Sequence, residues 1–139
     1  MRHLGRVGRH GREPRGQIQG IIGQNDEIGL GALQAVKAAG LDPRKIPTAG
    51  IDGVTDAILA VKSGDMISIL QDASAQAQGA LDVALRRLVG ESYQPMSEAW
   101  KEYGSQMAWN GGTAAECGVP WTPVTAQNAD ALLSKRQKA

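Results

Sequence analysis

Between Gln17 and Gly90 the chain repeats one pattern three times: a short β-branched run, a turn, then residues at helical spacing. Ile18–Gly23 (IQGIIG) reads as a buried strand. After Gln24-Asn25-Asp26, a helix is predicted over Glu27–Ala39, with Ile28, Leu33, Val36 and Ala39 on one face and Gly40 as its stop. Ile46–Ile51 (IPTAGI) is the second strand, Asp52-Gly53 a turn, and Thr55–Lys62 the second helix. Met66–Leu70 (MISIL) is the third strand, followed by a longer helix over Asp72–Val89 that ends at Gly90. Such βαβαβα alternation with short connections predicts an α/β fold with a parallel sheet and helices on its faces. The continuous apolarity of the strands predicts that both faces of the sheet are covered, a three-layer arrangement.

The ends of the chain differ from this middle. Residues 1–16 (MRHLGRVGRHGREPRG) form a basic leader, expected to be disordered or to be the product of a misread frame. Residues 17–139 form the domain. The net charge of +1 hides +4 in residues 1–15, against 10 basic and 13 acidic residues in the rest. An acidic domain is a poor partner for nucleic acid. No apolar run is long enough to span a membrane, and no apolar segment follows the first charges as a secretory signal requires. The one cysteine, Cys117, forms no intrachain disulfide, and both histidines (His3 and His10) lie in the leader, so no metal site is expected. Beyond Gly90 the pattern breaks. That stretch holds Trp100, Trp109 and Trp121 and reads as irregular, with a short strand near Val124 and a terminal helix from Gln127.

In an open α/β sheet, ligands bind beyond the carboxyl ends of the strands. Here those ends carry Gln24-Asn25-Asp26, Asp52 and Gln71-Asp72. A carboxylate accepts hydrogen bonds from neighbouring hydroxyls, and a carboxamide both donates and accepts, as a sugar hydroxyl requires. Burying such groups rejects ligands without matching hydroxyls, at ~1–3 kcal/mol for each unpaired group. Each residue also has a plain local role. Asn25 or Asp26 can cap the first helix and Asp72 the third, while Asp52-Gly53 is an ordinary turn pair. Gly29-Leu30-Gly31 begins a dinucleotide fingerprint, but it lies inside a helix and Gln34 stands where the last glycine belongs, so no cofactor is expected. Asp26 and Asp52 could pair as in a glycosidase, yet neither carries a mark of a raised-pKa acid.

Gly23–Gly40 (GQNDEIGLGALQAVKAAG), Ala49–Asp56 (AGIDGVTD) and Lys62–Gln71 (KSGDMISILQ), in that order and spacing, resemble the type I periplasmic binding proteins of sugar ABC transporters. LRRLVG before the break and PWTPVTAQNADALL in the tail are similar to that family as well. The resemblance implies a non-enzymatic, cofactor-free receptor for a sugar or polyol, working in the periplasm with a membrane permease. It places Asn25, Asp52 and Gln71 on ligand-contacting positions. It also implies that this chain is a C-terminal portion, lacking the first lobe and the start of the second. Helix Ala73–Gly90 would then pack on the absent lobe, leaving Leu81, Leu85 and Leu88 without a partner. Two other classes share features with this reading. The effector core of a LacI-type sugar-responsive repressor has the same fold but needs a helix-turn-helix upstream, and a small sugar hydrolase needs a catalytic acid.

Overall fold

The three apolar runs become adjacent strands because each is followed by a helix that brings the chain back to the same edge. The structure, a computed structural model, describes residues 18–136, so the basic leader of residues 1–16 lies outside the described residues. Strands β1 (Ile21–Ile22), β2 (Thr48–Ile51) and β3 (Ile67–Leu70) pair in parallel in sequence order, with Ile21 opposite Thr48 and Ala49 opposite Ile67. Helix α1 (Asp26–Ala38) connects the first pair and α2 (Thr55–Lys62) the second. A fourth strand, β4 (Thr122–Pro123), runs antiparallel to β3, with Ile69 opposite Pro123. The parallel sheet expected from the sequence is therefore a mixed one. Pro123 is tolerated there because β4 is an edge strand.

Of the three layers expected, the sheet and one helical layer lie among the described residues. Helices α1 and α2 both reach the face carrying Thr48, Gly50, Ser68 and Leu70, all buried. Right-handed connections between neighbouring strands in sequence order put both helices on one side. The opposite face carries Ile22, 87% exposed, and Ile67, 54% exposed, with Ile51 and Ile69 half-buried. The strands thus have the composition of doubly covered strands but are covered on one face among the described residues. Strand β1 is also shorter than the Ile18–Gly23 run that announced it.

Asp26 ties this layer together. The residue is fully buried at the start of α1. Its carboxylate accepts from Ser68 Oγ of β3 at 2.8 and 2.9 Å and from the Val54 amide, at the start of α2, at 2.9 Å. Burial pushes its carboxyl above the usual range, partly offset by these donors. Gly50 makes room for it, since a Cβ there would lie 2.5 Å from Asp26 Oδ1 and 2.8 Å from its Cα. Below the carboxylate, Leu33, Ala57 and Met66 form one apolar cluster, and Ile58, Leu70, Val124 and Ala129 form a second. The second cluster seats the terminal helix α5 (Ala129–Arg136) against α2 and β3.

The third helix, α3 (Ala73–Val89), packs on residues after Gly90 of its own chain. Its stripe of Ala75, Gly79 and Asp82 is buried against Trp100 and Met107, which lie on and just after the short helix α4 (Ala99–Tyr103). The segment expected to be irregular is organised around one carboxylate. Asp82 accepts from Tyr93 Oη at 2.6 Å, Trp100 Nε1 at 2.7 Å, and the amides of Met96 and Ser97 at 3.1 Å, as well as from Ser97 Oγ. Trp109 meets Trp100 edge-on at 4.9 Å between ring centres. The leucine face of α3 points away from this contact, with Leu81 61% and Leu88 82% exposed and Leu85 half-buried. The helix therefore has a partner, but for its small and polar stripe rather than for its leucines.

Two outcomes follow from these carboxylates. Asp26→Ala leaves the Ser68 hydroxyl and the Val54 amide without their acceptor, and is expected to cost about 2–5 kcal/mol. Urea unfolding should show a lower midpoint at unchanged slope, with Ser68→Ala losing only about 1 kcal/mol. Asp82 is raised by burial but lowered further by its donors, which hold it well below the ordinary value of 3.8. A depressed carboxyl contributes stability that is complete above its unfolded value and is lost as pH falls toward its folded value. Asp26 is shifted the opposite way and opposes this loss in acid. Denaturation curves from pH 7 to pH 2 should therefore show Asp82→Asn less stable than the parent at neutral pH and with a shallower decline below about pH 4. Parallel acid limbs in the two proteins would remove Asp82 as the source of the acid sensitivity.

Candidate functional site

The carboxyl ends of β2 and β3 open into a cleft of about 690 Å3, floored by Leu70 and closed on one side by α5. Asp52 and Gln71, from neighbouring strand ends, both line it, together with Asp72, Glu102, Lys135 and Arg136. Asn25, the third expected residue, is not among the lining residues. It ends the loop after β1 in an extended conformation and caps α1, its Oδ1 accepting from the Ile28 amide at 3.0 Å. This is the local role open to it from the sequence. Its carboxamide hydrogens stay available as donors, since the cap uses only the oxygen.

Asp52 takes an unusual backbone conformation, φ 109°, in the region that favours glycine. Gly53 follows at φ 62°, and a Cβ there would come within 2.9–3.0 Å of Leu70. The pair lets the chain fold tightly over the end of β3 and carries the Val54 amide to Asp26. Two contacts fix Asp52: its amide donates to the Ile69 carbonyl at 2.9 Å, and its own carbonyl accepts from Arg136 Nη2 at 3.2 Å. Gln71 leaves β3 half-buried, and its carbonyl accepts from the Ala73 amide as α3 begins.

Asp72 performs the capping expected of it, Oδ1 accepting from the Ala75 amide at 2.9 Å. Its other oxygen accepts from Tyr103 Oη at 2.8 Å and from Lys135 Nζ at 2.9 Å, and Lys135 also reaches Glu102 at 2.7 Å. Burial works to raise the Asp72 carboxyl, but the Ala75 amide, Lys135 and Tyr103 outweigh it and hold it below the ordinary value. Burial and the Asp72 carboxylate push the Tyr103 hydroxyl up to about 12. Burial opposes the charge on Lys135, but Glu102 and Asp72 prevail and move it up to about 12. Lys135 is thus a fixed cation through the neutral range.

The cleft offers carboxylates, carboxamides, the Ser74 hydroxyl and two cations. No cluster of three metal-ligating side chains occurs among the described residues. Such a surface can accept and donate hydrogen bonds to a polyhydroxylated molecule. Sequence reasoning missed Glu102, Tyr103, Lys135 and Arg136. The contacts from Lys135 to Asp72 and from Arg136 to Asp52 span 63 and 84 residues, and no local spacing announces them.

Known proteins share both the sequence and the arrangement. A xylitol-binding protein of Mycolicibacterium smegmatis is 47% identical over 76 residues, covering 54% of this chain and 21% of that protein. A ribose import binding protein of Haemophilus influenzae is 48% identical over 56 residues, covering 40% of this chain and 18% of that one. The chain spans only about a fifth of the length of these two relatives. Among solved structures, the periplasmic binding protein of an arabinose ABC transporter from Shewanella sp. ANA-3 superposes with a TM-score of 0.62 at 28% identity, covering 89% of this chain and 35% of that one. An ABC transporter solute-binding protein of Bacillus halodurans with bound myo-inositol gives 0.61 at 25% identity, covering 86% and 34%. These are type I periplasmic binding protein folds, and the α/β arrangement here is a portion of one. Residues 10–92, more than half of the 139, match the profile of the periplasmic binding protein domain, and the chain belongs to that family.

Proposed function

We propose that this chain supplies part of the solute site of an ABC import receptor, and that the solute is a neutral sugar or polyol. The observation that carries the reading is the joint presence of Asp52 and Gln71 at adjacent strand ends in one cleft. A carboxylate beside a carboxamide matches vicinal hydroxyls, each of which must donate and accept. Asn25, at the next strand end along the same edge, adds donors from its carboxamide. The relatives named for xylitol and ribose, and the structural neighbours holding arabinofuranose and myo-inositol, support a polyhydroxylated solute. Their names also favour a transport receptor over the effector core of a repressor. In this reading the receptor binds without covalent chemistry, works in the periplasm and delivers its solute to a membrane permease. The exposed leucines of α3 face a further lobe, and the two lobes close around the solute by hinge motion.

A site shared between lobes binds weakly when one lobe stands alone. Nuclear magnetic resonance titration of this chain with xylitol, ribose, arabinose and myo-inositol is expected to give dissociation constants of about 1 mM or weaker, with shifts at Asn25, Asp52 and Gln71. Asp52→Ala should weaken the response about tenfold, as the loss of a charge-assisted hydrogen bond does. Shifts confined to other surfaces would sink the assignment. Micromolar binding by the isolated chain would show that no second lobe completes the site.

A further inference from the structure

The terminal helix makes its only described polar reach into the cleft through two consecutive cations, and each ends on a different strand terminus. Arg136 Nη2 donates to the carbonyl of Asp52, beyond β2. Lys135 Nζ bonds Asp72, beyond β3, and Glu102 on α4. The foot of α5 is itself seated: Ala129 is fully buried with Ile58 and Leu70, Leu132 and Leu133 pack on the same cluster, and Asp130 pairs with Lys62 of α2 at 2.6 Å. Both cations therefore project from a helix whose position is set independently of them.

Their targets are the parts of the cleft that most need holding. Asp52 sits at φ 109°, a conformation that a non-glycine residue keeps only when its surroundings impose it. The Arg136 guanidinium fixes the direction of the carbonyl that follows, and the Asp52 amide is fixed from the other side by Ile69. Gln71 precedes the Asp72 cap, so the aim of its side chain depends on how firmly Asp72 is held. An exposed ion pair contributes little. The Asp72 carboxylate, however, is only 11% exposed, and it receives Lys135, Tyr103 and the Ala75 amide together. That network resists loosening more than a lone surface pair does.

We propose that Lys135 and Arg136 form a latch from α5 that fixes the Asp52 and Gln71-Asp72 strand ends relative to each other, making them positioning residues of the cleft. The importance of this latch for recognition rests on the solute reading above, whereas the latch itself can be read without solute. The test is amide hydrogen exchange on the unliganded chain, followed residue by residue. In Lys135→Met/Arg136→Met, the amides of Asp52 and Ala75 are expected to exchange at least tenfold faster, while those of Leu33 and Ile58 keep the parent rate. Lys135→Arg/Arg136→Lys, which restores a donor at each position, should return Asp52 and Ala75 to near the parent rate. Unchanged exchange at Asp52 and Ala75 in the methionine variant overturns the latch. Equal acceleration at Ile58 overturns it too, because α5 would then be a general prop. Titrating the same proteins with xylitol and arabinose separates the two readings. Weaker binding in the methionine variant, rescued in the conservative one, supports positioning. A parent chain whose resonances move with neither of these solutes nor with ribose or myo-inositol, while the exchange result holds, rejects the solute reading and leaves the latch standing.

Discussion

One buried carboxylate ties the sheet to the starts of its first two helices. Asp26 joins the start of α1 to β3 through Ser68 and to the start of α2 through Val54. Each bond crosses between units that the sequence separates by 28 or 42 residues. A buried charge costs free energy unless its oxygens are satisfied, so the arrangement is tolerable only when all three segments meet. That requirement explains two neighbouring residues. Gly50 must lack a side chain for Asp26 to fit, and Asp52-Gly53 must turn tightly for Val54 to reach it. The strained turn that presents Asp52 to the cleft is thus the far end of the contact that organises the core.

How far the sequence revealed this differs by element. Helix α2 falls on the residues its spacing predicts, and α1 and α3 differ from expectation by a residue or so at their ends, because apolar period and caps are local signals. Adjacent parallel strands were legible from the short connections. The face left uncovered was not, since apolar runs record what a strand is suited to and not what covers it. Asp52 and Gln71 were legible as strand-end residues, and the structure brings them into one cleft, while Asn25 is occupied as a helix cap. Asp26 was legible as a strand-end carboxylate or a cap, but not in its three-way role, which depends on partners that no local pattern reveals.

The tail illustrates the same limit. Its glycines, prolines and scattered aromatics carry no period, so residues after Gly90 read as irregular. Their order comes from a polar centre: Asp82 on α3 gathers Tyr93, Met96, Ser97 and Trp100 around a single carboxylate. A carboxylate within an otherwise amphipathic helix looks like a solvated residue until its donors are found. The three tryptophans of the tail divide by environment, Trp100 buried at Asp82, Trp109 half-buried against Trp100 and Trp121 exposed.

The sheet covered on one side has a thermodynamic consequence. Ile22 and Ile67 present apolar surface whose removal from water is favourable by about 25 cal/mol for each Å2. Any body that covers this face in the folded state and ignores the unfolded chain adds its binding free energy to folding through mass action. The stability of this chain is then a function of the concentration of its complement, and a melting temperature measured alone describes one limit of a continuous curve.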